Sequence, residues 1–283
     1  MPPIVAVIAP GMMGSAVAHC LTVNKIEVRT LLDGRGAGTI ARANAAGMTG
    51  VSEAQIAESD IVLSILPPGS ALALAERLAP ALRASTKKPI YVDCNAVDPS
   101  TVLRIARVVE ETGAAFVDGG IIGGPPVSGS KATKIYLSGP DAPKAAILEN
   151  FGLTMPIQPG PIGAASAMKM SYAGITKGFT ALGAAMMLAA TRAGTAEALK
   201  AELAQSQPAL YSWLTTQMPR MYSKAYRWVA EMEEIAAFVG EDPAGAKFYQ
   251  GAAELYARIA ADVEGQNKET AMLDAFCAPA EKD

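Results

Sequence analysis

The sequence predicts an α/β fold in which a doubly wound parallel sheet is followed by a long interdomain helix and an all-helical C-terminal domain. Short, continuously apolar runs alternate with helical patterns over the first half of the chain, as in a parallel sheet covered on both faces. A glycine turn joins the first run to the first helix, and no strand pattern is evident after Gly194. We therefore predict a Rossmann-type dinucleotide-binding domain over residues 1–160 and a helical domain over residues 161–283.

The predicted strands are apolar runs bounded by turn-forming residues. In chain order they span residues 4–8, 27–32, 60–66, 89–95, 114–118, 134–138 and 154–158. The segment 119–126 is rich in glycine and is interpreted as a loop that could present backbone N–H groups to an anion or a carbonyl oxygen.

The first strand leads into a glycine turn, Ala9-Pro10-Gly11-Met12-Met13-Gly14, and then into a helix predicted from Ser15 to Leu21. This order is the dinucleotide-binding fingerprint, with Ala9 where the first glycine usually stands. Gly11 would let the backbone approach the pyrophosphate, and Gly14 would let the helix pack closely on the sheet. The predicted pyrophosphate-binding residues are Gly11, Met12, Met13 and Gly14. A plain strand-to-helix turn is the alternative.

The end of the second strand is where the adenosine ribose of a dinucleotide is recognised. Asp33 would accept hydrogen bonds from a free 2′-hydroxyl, whereas the guanidinium of Arg35 suits a 2′-phosphate. Gly34 could let the chain turn Arg35 inward, so we predict NADP as the cofactor, with NAD as the alternative. The alternative for Arg35 is a solvent-exposed loop residue that does not contact the cofactor.

The nicotinamide end of the cofactor is expected at the carboxyl ends of the next two strands. Leu66 and Pro67 follow one of these strands, and Asn95 ends the other. All three are therefore predicted to line the cofactor. For Asn95 the alternative is a turn residue bonded to its own backbone.

The long helix is predicted over about residues 163–193, because this stretch holds no proline and little charge. A helix without a polar face is expected to be buried on every side. Further helices are predicted at residues 197–205, 207–217, 222–239 and 244–263, with breaks at Pro208 and Pro219, and about the last ten residues look loose. Most aromatic residues lie in this half, so we predict a homodimer with interlocked helical domains.

Lys169 and Lys177 are the only charges on the long helix before Arg192. A lysine is seldom fully buried without a partner or a task, and an apolar wall would lower its pKa towards the range of an acid/base group. At 100° per residue, Lys169 shares a helix face with Tyr172. We therefore predict Lys169 as the catalytic acid/base, with Tyr172 or Lys177 as substitutes.

Two observations bear on this choice of catalytic group. The single histidine, His19, lies in the first helix behind the predicted pyrophosphate site, where a structural role is expected. A structural alternative for Lys169 is an ion pair with Asp118 or with a carboxylate of a partner chain.

Composition limits the remaining possibilities. The net charge of −3 argues against a nucleic-acid or anionic-membrane surface, so the expected partners are a small-molecule substrate and a second copy of the chain. Three widely separated cysteines suggest a reducing compartment and no metal site. The N-terminus shows no signal-peptide pattern, and the long helix, although apolar enough to span a membrane, carries two lysines and much alanine. We expect a cytoplasmic protein.

The glycine turn and the start of the long helix resemble motifs of the β-hydroxyacid dehydrogenases, a group that includes 3-hydroxyisobutyrate dehydrogenase and the related 6-phosphogluconate dehydrogenase. The family's Gly-x-Gly-x-Met-Gly motif occurs here as residues 9–14, and its Gly-x-x-Gly-x-x-x-x-x-Lys motif as Gly160 to Lys169. The resemblance extends to about Ala193 and implies NAD(P)-dependent hydride transfer, with Lys169 as the acid/base. The rest resembles a poorly characterised helical domain of a bacterial subgroup.

The departures from this family concern the substrate. Ala173 stands where the family has an asparagine, and Ile122, followed by Gly123 and Gly124, replaces a serine that would hold a carboxylate. The family's Lys-Asp pair in the C-terminal domain is absent, with Glu231-Met232-Glu233-Glu234 nearby. The predicted substrate-binding residues are Ile122, Gly123, Gly124, Ala173 and Lys177.

These departures favour a substrate that is bulkier or less anionic than a small 3-hydroxy acid. The first hypothesis is an oxidoreductase for a hydroxy acid, its keto or semialdehyde partner, or a related alcohol. Two alternatives remain open: reduction of a C=N bond, as in imine reductases, and a non-catalytic dinucleotide-binding sensor or scaffold.

Overall fold

A computed structural model describes residues 2–278 of the chain. The chain divides into two compact units, the first ending at Met170 and the second beginning at Ser171. The division falls within one helix, whereas the sequence suggested residue 160.

The first unit is a seven-stranded sheet in the order β3-β2-β1-β4-β5-β6-β7. All neighbouring strands pair in parallel except β6 and β7, which are antiparallel. The strands are β1 (Val5–Ile8), β2 (Val28–Thr30), β3 (Met48–Gly50), β4 (Ile61–Ser64), β5 (Ile90–Asp93), β6 (Ala115–Ile122) and β7 (Lys134–Ser138). The chain order reverses between β1 and β4, which creates the crevice where doubly wound sheets bind their ligands, and the predicted fold class is confirmed.

Helices cover both faces of this sheet, and two separate clusters of buried apolar side chains lie beneath them. The helices are α1 (Met12–Val23), α2 (Ala37–Ala45), α3 (Glu53–Ala57), α4 (Ala71–Ala84), α5 (Pro99–Glu110) and α6 (Ala142–Ala145). The helix predicted at residues 15–21 is therefore longer at both ends. Asp98 caps α5 through hydrogen bonds to the N–H groups of Ser100 and Thr101, ahead of Pro99 at the first helical position.

Three details of the sheet differ from the prediction. The strand predicted at residues 154–158 is only partly formed: the segment makes backbone hydrogen bonds with β7, but only Ile157 forms a bridge, because Pro156 has no N–H to continue the ladder. The short strand β3 was not predicted. The predicted loop at residues 119–126 is also wrong in its first part, because β6 continues to Ile122 and pairs with β7.

Helix α7 (Ala164–Arg192) leaves the first unit and continues into the second, and the predicted long helix is confirmed. The second unit adds α8 (Ala196–Ser206), α9 (Pro208–Tyr222), α10 (Ala225–Phe238), α11 (Pro243–Glu264) and α12 (Lys268–Cys277). Pro219 lies inside α9 and does not end it. The loose C-terminus was predicted wrongly as far as Cys277, where α12 ends, and its remainder lies outside the described residues.

The second unit packs around one side of α7. The buried side consists mainly of small residues, with Met187 and Leu188 near its end. A Cβ on Gly174 would lie 2.9 Å from the hydroxyl of Tyr249, so glycine permits the close approach of α11. Trp228 and Tyr256 pack edge to face, with their ring centroids 5.2 Å apart. This contact joins α10 to α11 within the second unit.

The opposite side of α7 carries exposed large apolar side chains, so the prediction that α7 is buried on every side is wrong for the single chain. These side chains are Tyr172, Ile175, Phe179, Leu182 and Met186. Among the described residues, α7 is the one helix long and apolar enough to cross a membrane, and 44% of its most apolar 18-residue window is buried. Core helices of soluble proteins meet the same criterion, so length and composition are weak evidence here.

Candidate functional site

The glycine turn leaves the N-terminus of α1 without a side-chain cap. Gly11 is the N-cap residue and makes no side-chain hydrogen bond, and a Cβ at Gly11 would meet nothing within 4 Å. A Cβ at Gly14, in contrast, would collide with the carbonyl oxygen of Ala9. First-turn N–H groups and the positive end of the helix dipole suit a phosphate group. The turn therefore fits the pyrophosphate of a dinucleotide.

Two arginines lie near the other end of the predicted cofactor position. Arg35 is exposed beyond β2, next to the equally exposed Asp33. Arg42, on α2, donates from Nε to the carbonyl oxygen of Pro10 at 3.2 Å and from Nη2 to Oγ1 of Thr39 at 3.0 Å. Arg42 is thus bonded to the glycine turn itself. The sequence reading missed Arg42, although its spacing of three residues from Thr39 on a helix is a usable signal.

A row of four buried polar residues crosses the carboxyl-end region of the sheet. Ser64 on β4 aligns with Asp93 on β5, Asp93 aligns with Asp118 on β6, and Asp118 aligns with Ser138 on β7. All four residues have 0% exposure. We call them the polar row. Buried carboxylates need hydrogen-bond donors or a raised pKa, so the surroundings of each one decide its role.

Asp118 anchors the beginning of α7. Its carboxylate accepts hydrogen bonds from the backbone N–H groups of Gly163 and Ser166, each at 3.0 Å, and from the hydroxyl groups of Ser138 and Ser166. The hydroxyl oxygen of Ser138 accepts a further bond from the N–H of Ala165 at 2.9 Å. A carboxylate at a helix N-terminus complements the helix dipole. Asp118 therefore fixes where α7 starts.

Asn95 is 2% exposed and links the ends of β4 and β5. Its Oδ1 accepts a hydrogen bond from the N–H of Leu66, while its Nδ2 donates to Oγ of Ser64 at 2.8 Å and to Oδ1 of Asp93. Two of these bonds run to β4 and its end and the third to Asp93 on β5, whereas the predicted alternative was a bond to the backbone of its own turn. The role of Asn95 beside a cofactor stays a prediction, as do those of the half-buried Leu66 and the exposed Pro67.

Asp93 has a strongly perturbed acidity. Its pKa is raised to about 7, with burial as the largest cause, while the hydrogen bond from Asn95 and the hydroxyl of Ser64 act to lower the pKa. The negative charge of Asp118 raises the pKa of Asp93, and the positive charge of Lys169 lowers it. Asp93 therefore titrates near neutrality and is electrostatically coupled to Lys169.

Lys169 lies in the second turn of α7, packed over β6. A Cβ at Gly120 would lie 3.2 Å from Cβ of Lys169 and 2.7 Å from the carbonyl oxygen of Ala165. Only glycine allows this approach. Lys169 is half-buried and follows Ser166 by three residues, so it shares the helix face that bonds to Asp118.

The remaining predicted site residues fall into both units. Ile122 ends β6, and the exposed Gly123 and Gly124 follow it; the hydroxyl of Thr133 donates to the carbonyl oxygen of Gly124 at 2.6 Å. In the second unit, Tyr172 is 53% exposed on α7. Ala173 is buried on the same helix.

Lys177 also belongs to the second unit and has its own partners there. Its Nζ forms an ion pair with the carboxylate of Glu231 and lies 5.4 Å from the centroid of the Trp228 ring. The hydroxyl of Tyr256 donates to the carbonyl oxygen of Lys177 at 2.6 Å. The ion pair identifies a role for the first residue of the acidic segment 231–234. Substrate binding by Lys177 stays a prediction, and its charge is already balanced.

Comparison with known proteins agrees with the fold and the glycine turn. Residues 4–152 match the NAD-binding domain of 6-phosphogluconate dehydrogenase. The chain belongs to this family. The first unit is thus an NAD(P)-binding domain, as predicted. Residues 190–259 match a domain of unknown function, DUF1932, which agrees with the resemblance noted for the helical half.

A curated relative is an uncharacterised 28.5 kDa protein encoded in the 7S RNA 5′ region of Methanothermus fervidus. It is 34% identical over 161 residues, which are 56% of this chain and 60% of the relative. This chain therefore spans less than two thirds of that relative's length.

Solved structures share the fold over almost the whole chain. A conserved protein of unknown function, described as similar to 3-hydroxyacid dehydrogenases, is 27% identical with a TM-score of 0.72, covering 95% of this chain and 98% of its own. Mycobacterium tuberculosis 3-hydroxyisobutyrate dehydrogenase with L-serine is 18% identical, with a TM-score of 0.66 and coverages of 98% and 100%.

A reductive aminase from Aspergillus terreus, in complex with NADPH and ethyl levulinate, is 16% identical with a TM-score of 0.56, covering 98% of this chain and 100% of its own. The fold is therefore that of NAD(P)-dependent hydroxyacid dehydrogenases and imine reductases.

Proposed function

We propose that the protein is an NAD(P)-dependent oxidoreductase that interconverts a hydroxy acid, or a related alcohol, and its keto or semialdehyde partner, with Lys169 as the general acid/base. The observation that carries the proposal is the position of Lys169 over β6, beside the polar row. Open α/β sheets bind their ligands outside the carboxyl ends of the strands. An amine at this place is suited to serve a bound substrate.

The coenzyme supplies or removes the hydride when it is bound. Reduction of a carbonyl also needs a proton at the oxygen. Lys169 would hold that proton on Nζ and donate it, and in the oxidation direction the neutral amine would accept it from the hydroxyl. His19 is exposed on α1, so it offers no competing acid/base beside the polar row.

Cofactor binding would depend on the first unit alone. The backbone of Gly11, Met12, Met13 and Gly14 would hold the pyrophosphate at the start of α1. Arg35 and Arg42 would hold a 2′-phosphate, because two guanidinium groups outweigh the single carboxylate of Asp33. We therefore propose a preference for NADP over NAD.

The substrate is proposed to be less dependent on a carboxylate contact than a small 3-hydroxy acid. The side chain of Ile122 cannot donate a hydrogen bond. Any anion at the end of β6 would therefore rely on backbone N–H groups near Gly123 and Gly124. A bulkier or less anionic hydroxy or keto compound fits this composition.

The test is a pair of fluorescence titrations with NADPH and NADH, followed by a carbonyl panel with the tighter cofactor, each substrate with and without an added amine. Turnover of carbonyls alone supports the proposal. Turnover that requires the amine would assign the C=N reduction instead. Tight cofactor binding without any turnover would favour the non-catalytic sensor.

The role of Lys169 is tested by Lys169→Met. The variant should lose turnover by roughly 10²–10⁴-fold, the usual contribution of a general acid/base, while its cofactor affinity stays unchanged. Lys144→Met is the matched control, because Lys144 is an exposed lysine of the same unit that pairs with Asp141, the N-cap residue of α6. Normal turnover by Lys169→Met would remove Lys169 from the reaction.

We also propose that the chain forms a homodimer through the exposed side of α7. Tyr172, Ile175, Phe179, Leu182 and Met186 follow one another at spacings of three and four residues and form one apolar stripe. At about 200 Å² for a large side chain, five half-exposed residues offer roughly 500 Å², which is more than half of what each partner buries in a standard interface.

A second copy is the natural occupant of this stripe, because a stripe of this kind on a single helix can pair with itself about a two-fold axis. Light scattering should give the dimer mass for the natural chain and a monomer for Ile175→Glu. A natural chain that is monomeric at micromolar concentration would contradict the dimer.

A further inference from the structure

The two carboxylates of the polar row have unequal surroundings although they are neighbours on β5 and β6. Asp118 accepts four hydrogen bonds, all from β7 and the start of α7. Asp93 accepts one at Oδ1, from Asn95, and its buried Oδ2 has no hydrogen-bond partner among residues 2–278. The negative charge is therefore well supported at Asp118 and poorly supported at Asp93.

The charged and titratable groups that face Asp93 come from three elements. Asp118 faces it from β6 and Lys169 from α7, while Tyr91 and Cys94 lie on or just beyond its own strand β5. Burial raises the pKa of both the Tyr91 hydroxyl and the Cys94 thiol, so these two groups stay neutral in the working range. The positive charge that acts on Asp93 is that of Lys169.

The backbone keeps Lys169 at this place. Asp118 holds Gly163 and Ser166 at the N-terminus of α7, and Lys169 follows one turn later on the same face. Gly120, two residues after Asp118 on the same face of β6, lets the Cβ of Lys169 approach the sheet. The packing of α7 on β6 and the pairing of β6 with β5 thus set the backbone positions of Lys169 and Asp93.

We propose that Asp93 is a positioning residue that sets the protonation state of Lys169, an inference that rests on the proposed role of Lys169 as acid/base. Ionised Asp93 favours the ammonium form, which is the proton donor in reduction. When Lys169 gives up its proton, the attraction disappears and the buried carboxylate gains affinity for a proton. The protonation of each group therefore depends on that of the other.

The direct test follows the titration of Lys169 without any turnover. Lysines of the natural protein are reductively methylated with ¹³C-formaldehyde, and the Lys169 signal is assigned by its loss in Lys169→Met. An opposite charge in a buried site shifts a pKa by roughly 1–3 units, and partial ionisation of Asp93 near neutrality reduces the effect, so the titration midpoint should fall by about one pH unit in Asp93→Asn. Asp60→Asn, which removes a carboxylate that is paired with Lys87 elsewhere in the first unit, should leave the midpoint in place.

An unchanged midpoint in Asp93→Asn would overturn the proposal, whereas a fall of about one unit would support it. A folded state is checked by circular dichroism, and if Asp93→Asn does not fold, Asp93→Glu must shift the midpoint instead, because it moves the same charge.

The kinetic readout follows where a substrate has been found. In the reduction direction, activity that needs the ammonium form is lost as the pH rises. Asp93→Asn should lower the midpoint of this loss of activity by about one pH unit. A lower rate without a shift would mean a structural role and would overturn the positioning role.

The two proposals fail in different ways. If no substrate is turned over, or if Lys169→Met stays active, the proposed function fails, while the NMR titration still reports whether Asp93 and Lys169 are coupled. If Lys169→Met is inactive and the titration midpoint of Lys169 is the same in Asp93→Asn as in the natural protein, the proposed function stands and the positioning role is refuted.

Discussion

Replacement of Asp93 by asparagine should remove a pH dependence of stability that the natural protein shows between about pH 4 and pH 7. The pKa of Asp93 is raised from 3.8 to about 7 in the folded protein, with burial as the largest cause. Between these two values the folded protein binds one proton more than the unfolded chain. Unfolding releases that proton, so the free energy of unfolding falls as the pH rises through this window and levels off above it.

The size of the effect follows from the width of the window. A difference of about three pH units at roughly 1.4 kcal/mol per unit gives at most about 4 kcal/mol. Asparagine has nearly the same shape as protonated aspartic acid and carries no charge. The variant should therefore exceed the natural protein in stability by an amount that grows across the window, from about 2 kcal/mol at pH 5 to about 4 kcal/mol at pH 8.

The assay must follow the first unit. Both tryptophans, Trp213 and Trp228, lie in the second unit, so tryptophan fluorescence would report on the wrong part of the chain. Hydrogen exchange of peptides from β5 and β6, measured against urea at several pH values, gives the required opening free energy.

Asp60→Asn provides a contrast of opposite sign. Although burial alone would raise the pKa of Asp60, hydrogen bonds from the N–H of Ile4 and from Lys87 lower it below 3.8 overall. Its contribution to stability is therefore present at neutral pH and lost only as the pH falls below about 4.

If Asp93→Asn is less stable than the natural protein by the same amount at pH 5 and pH 8, Asp93 is not protonated in the folded state and the reasoning is refuted.

Three further changes test other parts of the structure. Gly120→Ala should destabilise the first unit by about 1–3 kcal/mol in urea unfolding, because its Cβ would lie 2.7 Å from backbone of α7, whereas Gly69→Ala, with nothing within 4 Å, should be neutral. Arg42→Ala should weaken NADPH binding roughly tenfold in fluorescence titrations and leave NADH binding unchanged. An equal loss of affinity for NADPH and NADH would contradict a contact between Arg42 and the 2′-phosphate. Glu231→Gln should cost about 1–2 kcal/mol, since it leaves the half-buried Lys177 charge unpaired, and adding Lys177→Met should recover part of that loss.

The sheet could be predicted because its local signals agree. Each parallel strand is an apolar run, and the glycine turn marks the first crossover into a helix. The failures occur where neighbouring elements override local preference. Gly119 and Gly120 look like loop residues, yet they continue β6 because strand β5 and helix α7 approach too closely for side chains.

The polar row could not be predicted in the same way, since it depends on strand register. Asp93 and Asp118 are neighbours only because β5 and β6 pair, and Ser138 joins them across an antiparallel partner whose direction the sequence left open. The pair formed by Lys177 and Glu231 likewise joins residues that are 54 positions apart. Local periodicity carries no information about such contacts.

The polar row places two buried carboxylates, Asp93 and Asp118, in different surroundings near Lys169. The carboxylate of Asp118 accepts hydrogen bonds from N–H groups at the start of α7 and so fixes where this helix begins. Asp93 has fewer donors. The pairing of β5 with β6 therefore brings together two carboxylates with different roles. Asp118 holds the start of α7, and Asp93 can change its protonation near neutral pH.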